Sequence, residues 1–73
     1  MEEYHVVKKE IRRTFKVGMF VKSSEDYEFK ITEMRENDDP FMWDAITLKN
    51  RSGEIEIASN DLLFYTIIDK VKV

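Results

Sequence analysis

The spacing of apolar residues changes once along this chain, and that change most constrains how it can fold. Up to residue 15, apolar side chains recur every three or four residues, which is the spacing of one helical face; they are Tyr4, Val7, Ile11 and Phe15. From residue 15 onward, apolar and polar residues alternate, which is the period of a half-buried strand. The pattern predicts a short N-terminal helix or arm over residues 1–15 and a mainly β region over residues 16–73.

A strand is the competing interpretation of the first fifteen residues, because Val6, Val7 and Thr14 are β-branched. The charges favour a helix instead. Two acidic residues lie near the start of the segment and two basic residues near its end, which complements the helix dipole. We therefore predict a helix and keep the strand as the alternative.

Five strands are predicted after the helix, and they cover residues 17–22, 27–35, 41–49, 54–58 and 64–73. Met34 breaks the alternation of the second strand, which indicates a bulge. Residues 50–53 are typical of a tight hairpin in which Gly53 is free to adopt a positive φ. Residues 59–62 have the composition of a capped single turn of 3₁₀ helix.

Length and cysteine content set the limits of the fold. The chain has 73 residues and no cysteine, so we predict one small domain, residues 1–73, without disulfides or thiolate metal sites. The hydrophobic fraction of 42% is too high for a disordered chain. No apolar run approaches the roughly 20 residues that cross a bilayer. Because the first residues are acidic and lack a signal-peptide pattern, we predict a cytoplasmic protein with no membrane contact.

Short antiparallel strands in so small a chain favour a closed barrel, because closure removes exposed strand edges. Several segments resemble SH3-like small barrels of the KOW or Tudor kind. The first is Phe15-Lys16-Val17-Gly18-Met19-Phe20-Val21, which is similar to their opening strand. Residues 27–34, 44–54 and 59–62 resemble their second strand, their third strand with its distal hairpin, and the one-turn helix before the last strand.

This resemblance covers about residues 15–73 and implies a five-stranded antiparallel SH3-like barrel that serves as a binding module. The binding residues of the family do not carry over. The chain lacks an Ala-Leu-Tyr-Asp-Tyr motif, and the loop aromatics of a Tudor cage have no match at single positions. Small cysteine-free domains of this kind are often accessory or regulatory proteins, including proteins of phages and mobile elements.

Charge is distributed unevenly and suggests one class of partner. Residues 1–22 carry six bases and three acids, whereas residues 23–73 carry six bases and twelve acids. A basic patch on the leading helix would suit phosphates; its members are Lys8, Lys9, Arg12, Arg13 and Lys16. The net charge of -3 and the pI near 5.1 count against a dedicated nucleic-acid binder. Nucleic acid is therefore the alternative partner.

Catalytic and cofactor chemistry find little support in the sequence. The single histidine, His5, lies in the charged leading segment, and no Gly-rich phosphate loop is present. The cluster Glu36-Asn37-Asp38-Asp39 does not fit a calcium loop, because Phe41 stands where that loop needs glycine. We predict no enzyme activity, no cofactor and no metal.

Protein is the leading partner that the sequence predicts, with self-association as a further one. The candidate binding side chains are aromatic; they are Tyr27, Phe41, Trp43 and Tyr65. Strand alternation leaves two interpretations of Trp43. If Met42, Ile46 and Leu48 point inward, Asp44 does too and Trp43 faces outward as an interface anchor. Otherwise Trp43 belongs to the core beneath the leading helix, which we favour because so small a domain needs its large side chains inside.

Overall fold

The computed structural model describes residues 2–39 and 41–68. The helix α1 (Glu2–Thr14) comes first, and five antiparallel strands and a 3₁₀ helix follow it. They are β1 (Phe20–Lys22), β2 (Glu28–Arg35), β3 (Ala45–Asn50), β4 (Gly53–Ala58), the 3₁₀ helix η1 (Ser59–Phe64) and β5 (Thr66–Ile68). The strands form one sheet in the order β4-β3-β2-β1-β5. The predicted N-terminal helix and the mainly β class are confirmed.

The helix packs on one face of the sheet through the apolar residues that predicted it. Ile11 and Phe15 are buried, and the Phe15 amide donates to the Ile11 carbonyl at 2.8 Å. Gly18 then adopts a φ of 98°, which glycine tolerates best, and its amide donates to the Ile31 carbonyl at 2.8 Å. This turn delays the first strand, which begins at Phe20 instead of residue 17.

The core lies between this face of the sheet, α1 and η1. Its buried apolar members are Ile11, Phe15, Val21, Ile31, Ile46, Leu48 and Leu62. Cross-strand pairing places them together, since Ile31 lies opposite Leu48 and residues directly opposite in a sheet share a face. We call this side of the sheet the core face and the other side the outer face.

A bulge in β2 explains why the alternation breaks there. The register with β3 shifts between Ile31 and Glu33. Ile31 lies opposite Leu48 and Met34 lies opposite Ile46, so both β2 residues face the core despite their odd spacing. The bulge predicted from Met34 is thus confirmed, slightly earlier in the strand.

The β3–β4 hairpin has the predicted geometry. Asn50 lies opposite Gly53 across a two-residue turn, and Gly53 has a φ of 142°. The Ser52 amide donates to Asn50 Oδ1 at 2.8 Å, which stabilises the turn. The 3₁₀ turn is also present, but its N-cap residue is Ala58 and no side chain caps it.

Two predicted strands differ from the structure at their ends. The third begins at Ala45, and residues 41–44 form no strand because their polar groups bind elsewhere, as described below. The last strand begins at Thr66, since Phe64 belongs to η1. Its predicted continuation through residues 69–73 lies outside the described residues.

The sheet is open in the part of the chain that the structure describes. β4 and β5 are its two edge strands, and they do not pair with each other there. The five antiparallel strands are therefore present, and the closed barrel stays a prediction.

Candidate functional site

A lysine of α1 binds the backbone of the segment between β2 and β3, residues 36–44. We call this segment the 36–44 loop. Lys8 is only 3% exposed, although it is charged. Its Nζ donates to three loop carbonyls, those of Asn37 at 2.6 Å, Met42 at 2.9 Å and Asp39 at 3.3 Å. One ammonium group is thus the shared hydrogen-bond donor for three carbonyls of the loop backbone.

A buried carboxylate completes this polar cluster. Asp44 is 1% exposed and accepts from Arg12 Nε at 2.7 Å and from Arg12 Nη2 at 2.9 Å. The Asn37 amide also donates to Asp44 Oδ1 at 2.9 Å, and Lys8 Nζ lies 3.9 Å from the same oxygen. Arg12 Nη1 reaches Glu36 Oε1 at 3.2 Å on the exposed side. We call Lys8, Arg12 and Asp44 the anchor.

Two residues of the anchor, Arg12 and Asp44, stabilise each other in their charged forms. Burial alone would raise the pKa of Asp44, but hydrogen bonds from Arg12 and from the Asn37 amide outweigh it and lower that pKa below its ordinary value of 3.8. The hydrogen bond to Asp44 raises the pKa of the Arg12 guanidinium, against the opposing effect of burial. Arg12 and Asp44 therefore form a charged pair beneath the loop at neutral pH.

The loop also carries its own turn contacts. The Asp39 amide donates to Asn37 Oδ1 at 2.9 Å, and the Phe41 amide donates to Asp39 Oδ1 at 2.9 Å. The Met42 amide donates to the Asp39 carbonyl at 3.0 Å. Asn and Asp side chains favour such turns because they mimic a backbone acceptor. The loop is thus held by its own side chains as well as by the anchor.

The 36–44 loop, whose backbone these polar contacts hold in place, exposes two apolar side chains to solvent. Phe41 is 67% exposed and Met42 is 52% exposed, whereas the neighbouring Trp43 is half-buried and packs against the core. A shallow groove of about 330 Å³ lies between these residues and β4. It is lined mainly by apolar side chains, which are Phe41, Met42, Trp43, Ala45, Ile57 and Ala58. We call it the β4 groove.

The four predicted aromatic binding residues do not form one site. Phe41 and Trp43 lie together in the β4 groove. Tyr27 is exposed just before β2 and lines a different concavity, beside the β3–β4 turn at the far end of β3. Tyr65 is half-buried and meets the Phe29 ring edge to face, with centroids 6.3 Å apart. Burial raises the pKa of the Tyr65 hydroxyl.

The five predicted basic residues are divided between the interior and the surface. Lys8 and Arg12 bind the 36–44 loop. Lys9, Arg13 and Lys16 are exposed, and Arg13 Nη1 lies 3.6 Å from Glu10 Oε1. A phosphate partner would therefore meet three exposed cations on this side of the molecule, not five.

The positions of Lys8 and Asp44 in the sequence indicate the anchor, although the cluster of basic residues on α1 suggested a surface patch instead. Lys8 lies one residue after Val7 and three before Ile11, so it falls within the apolar stripe of α1. Asp44 alternates in phase with Ile46 and Leu48. One of the two interpretations of this strand therefore places all three side chains inward. A base and an acid that both occupy core-facing positions indicate a buried pair.

The described residues contain neither a cluster of metal-ligating side chains nor a membrane-spanning helix. No three metal-ligating side chains converge within residues 2–39 and 41–68. The single α-helix of this part of the chain is too short and too polar to cross a membrane.

Comparisons with protein-family models, with curated proteins and with solved structures found no match for this chain.

Proposed function

We propose that this chain is a small non-catalytic module that binds another protein through the β4 groove and the exposed side chains of Phe41 and Met42. The observation that carries the proposal is the exposed apolar pair on a loop that the anchor holds in place, with Lys8 and Asp44 buried. Exposed aromatic and methionine side chains are enriched in protein interfaces.

The anchor is costly, which supports a functional role for the loop that it holds. Removing charges from water costs several kcal/mol per ion before their mutual attraction repays it. An apolar core under α1 would stabilise the domain equally well. A fixed loop, however, presents Phe41 and Met42 in one arrangement, and this lowers the conformational entropy that binding must remove.

The fold is consistent with the binding module that the sequence resembles. β1 pairs with both β2 and β5, which brings the first and last strands side by side. η1 directly precedes β5, as the resemblance to SH3-like barrels predicted. We include in the proposal that the sheet curls as in an SH3-like barrel with the β4 edge left unpaired, and that the protein is a cytoplasmic accessory or regulatory protein.

Protein is favoured over nucleic acid because of where the charges lie. Lys8 and Arg12 are engaged by Asp44 and by loop carbonyls. The segments that flank the β4 groove, residues 33–39 and 53–58, contain six acids and one base. Such a surface repels phosphates and attracts basic groups.

The test compares two pairs of exposed apolar residues. The immobilised protein is incubated with native lysate, with and without nuclease treatment, and the captured proteins are identified by mass spectrometry. The variant Phe41→Ser/Met42→Ser alters the groove. The control Leu63→Ser/Phe64→Ser alters residues on η1 that are 61% and 77% exposed. We expect a specific partner that the control retains and the groove variant loses.

Two outcomes would reject the proposal. One is capture that disappears entirely with nuclease, which would assign the binding to nucleic acid. The other is a partner that both variants retain equally, which would place the interface elsewhere. Circular dichroism and thermal unfolding of both variants show whether each is still folded.

A further inference from the structure

The outer edge of β4 has hydrogen-bonding groups at positions that the hairpin geometry determines. A two-residue turn makes its flanking residues, Asn50 and Gly53, a hydrogen-bonded pair. Hydrogen-bonded and non-hydrogen-bonded pairs then alternate, so Ile55 and Ile57 bond to β3. The backbone N–H and C=O groups of Glu54, Glu56 and Ala58 therefore point away from β3.

A hydrogen bond just before the first residue of β3 agrees with this alternation of bonded and non-bonded pairs. The Ser59 amide donates to the Asp44 carbonyl at 2.8 Å, which continues the series of hydrogen-bonded pairs by two residues. Within residues 2–39 and 41–68, no strand pairs with the outer edge of β4. This edge adjoins the β4 groove, because Glu56 and Ala58, whose backbone groups point outward, also line the groove.

The two faces of β4 differ in chemistry. Ile55 and Ile57 lie opposite Leu48 and Ile46 and so belong to the core face, yet Ile55 is 41% exposed. Glu54 and Glu56 lie on the outer face, where Glu56 pairs with Arg35. A strand placed beside β4 would meet aliphatic side chains on one face and carboxylates on the other.

The charges argue against a second β4 as the added strand. Antiparallel pairing of two β4 strands with full overlap places Glu56 opposite Glu56, or Glu54 opposite Glu56. Like charges directly opposite each other destabilise a sheet. The surrounding segments are also acidic, as described above. A complementary strand would carry basic residues instead.

We propose that the partner adds an extended segment to the β4 edge as a sixth strand. In that segment, Lys or Arg alternates with β-branched aliphatic residues. Its basic side chains lie beside Glu54 and Glu56, and its aliphatic side chains cover Ile55 and Ile57. One end of the segment enters the β4 groove beside Met42. This inference rests on the proposed function and specifies its mode of binding.

The chain itself contains one such alternation, Lys-Val-Lys-Val at residues 70–73. Its own C-terminal residues, or those of a second copy, are therefore the competing occupants. The experiment has to separate these occupants from a different protein.

The first test uses synthetic peptides and the full chain. The probe is acetyl-Lys-Val-Lys-Val-Lys-Val-amide, and its binding is followed by the fluorescence of Trp43, the only tryptophan. The controls are the peptide with Glu in place of Lys and the same Lys peptide with alternate amides N-methylated. We expect saturable binding of the first peptide and binding at least roughly tenfold weaker for both controls. Equal binding of the N-methylated peptide would overturn strand addition.

A proline variant tests the backbone edge directly. Glu54→Pro removes an N–H that points away from β3, so the β3–β4 ladder keeps its bonds. We expect it to weaken peptide binding at least roughly tenfold beyond the control Glu54→Ala, which removes the same charge. Equal weakening by the two variants would overturn the hydrogen-bonding role of the edge. Backbone NMR shifts of the remaining strands check that the proline variant folds.

Two measurements address the competing occupants. If sedimentation shows a dimer that Glu54→Pro dissociates, the occupant is a second copy and the proposal is overturned. If Lys70→Glu/Lys72→Glu raises peptide affinity about tenfold, the chain's own C-terminal residues compete for the edge, which also overturns it. We expect a monomer and an unchanged affinity.

The proposed function can fail separately from this inference. A captured protein partner that is lost with Phe41→Ser/Met42→Ser but retained by Glu54→Pro would support the groove and reject strand addition. Peptide binding that responds to Glu54→Pro, in the absence of any partner that depends on Phe41, would do the reverse.

Discussion

The 36–44 loop and β4 border the same groove, but opposite kinds of contact hold them in place. The loop is held by the anchor, which buries charged groups beneath it while Phe41 and Met42 remain exposed. β4 is held by ladder hydrogen bonds and by aliphatic residues on its core face, and its glutamates face outward. The loop therefore depends on a few strong contacts, whereas β4 depends on many weak ones.

This difference predicts that single changes in the anchor have the largest effects on stability. Asp44→Ala leaves Lys8 and Arg12 without their buried carboxylate partner. Removing one partner from a buried ion pair costs about 3–5 kcal/mol. We expect the free energy of unfolding in urea to fall by that amount. Glu36→Ala, the control, removes only an exposed partner of Arg12 and is expected to cost less than about 1 kcal/mol. Equal losses in the two variants would show that Asp44 does not act as a buried ion.

Lys8→Met tests whether the lysine is needed for the loop backbone. The methionine fills similar volume but leaves the carbonyls of Asn37, Asp39 and Met42 without their shared donor. An unsatisfied buried acceptor costs about 1–3 kcal/mol, so we expect a loss of about 2 kcal/mol. Hydrogen exchange at loop amides is expected to quicken while exchange in β4 changes little.

The control for this variant is Lys9→Met, which changes the neighbouring exposed lysine. Surface substitutions of this kind usually change stability by less than about 0.5 kcal/mol. If both lysine variants accelerate loop exchange equally, the loop does not depend on Lys8.

The anchor also predicts how stability depends on pH. The pKa of Asp44 is lower in the folded protein than its ordinary value of 3.8. Its contribution is therefore complete above the unfolded pKa and is lost as the pH falls through the folded pKa. We expect the urea midpoint to fall more steeply below about pH 4 in the wild type than in Asp44→Asn. Parallel curves for the two proteins would contradict the assignment.

The β region was more predictable than the loop, and the reason is the range of the contacts involved. The helix, the bulge at Met34 and the hairpin at Gly53 depend on local periodicity and backbone freedom, which a sequence displays directly. Lys8 binds carbonyls that are 29 to 34 residues away. Periodicity carries no information about such side-chain-to-backbone contacts, so the sequence predicted that the third strand begins at Phe41, within the loop, instead of at Ala45.

The candidate site was predictable to a similar extent. The sequence predicts Phe41 and Trp43 because they are two aromatics, separated by one residue, that follow an acidic turn. Tyr27 and Tyr65 were grouped with them on chemistry alone, whereas the position of each depends on strand register. The interior position of Asp44 follows from one of the two strand phases, and its burial and its contact with Arg12 show that this phase is correct.

A smaller effect is expected at the junction of β4 with η1. Ser59 is fully buried, and its hydroxyl has no hydrogen-bond partner among the described residues. Ser59→Ala removes this group while its amide still donates to Asp44. We expect stability to rise by up to about 1 kcal/mol, measured by urea unfolding. A loss greater than that would show that the hydroxyl has a partner, and Ser52→Ala in the exposed turn serves as the reference.

The smallest effect on stability is expected where the proposed effect on binding is largest. Phe41→Ser/Met42→Ser changes two exposed side chains whose removal leaves the anchor and the loop hydrogen bonds in place. The free energy of unfolding should change by less than about 0.5 kcal/mol. A loss of 2 kcal/mol or more would mean that these side chains stabilise the fold, and the loop would then resemble β4 in depending on apolar packing. An unchanged free energy, together with lost binding, would separate the two roles: the anchor maintains the shape of the loop, and the side chains outside it make the contacts with the partner.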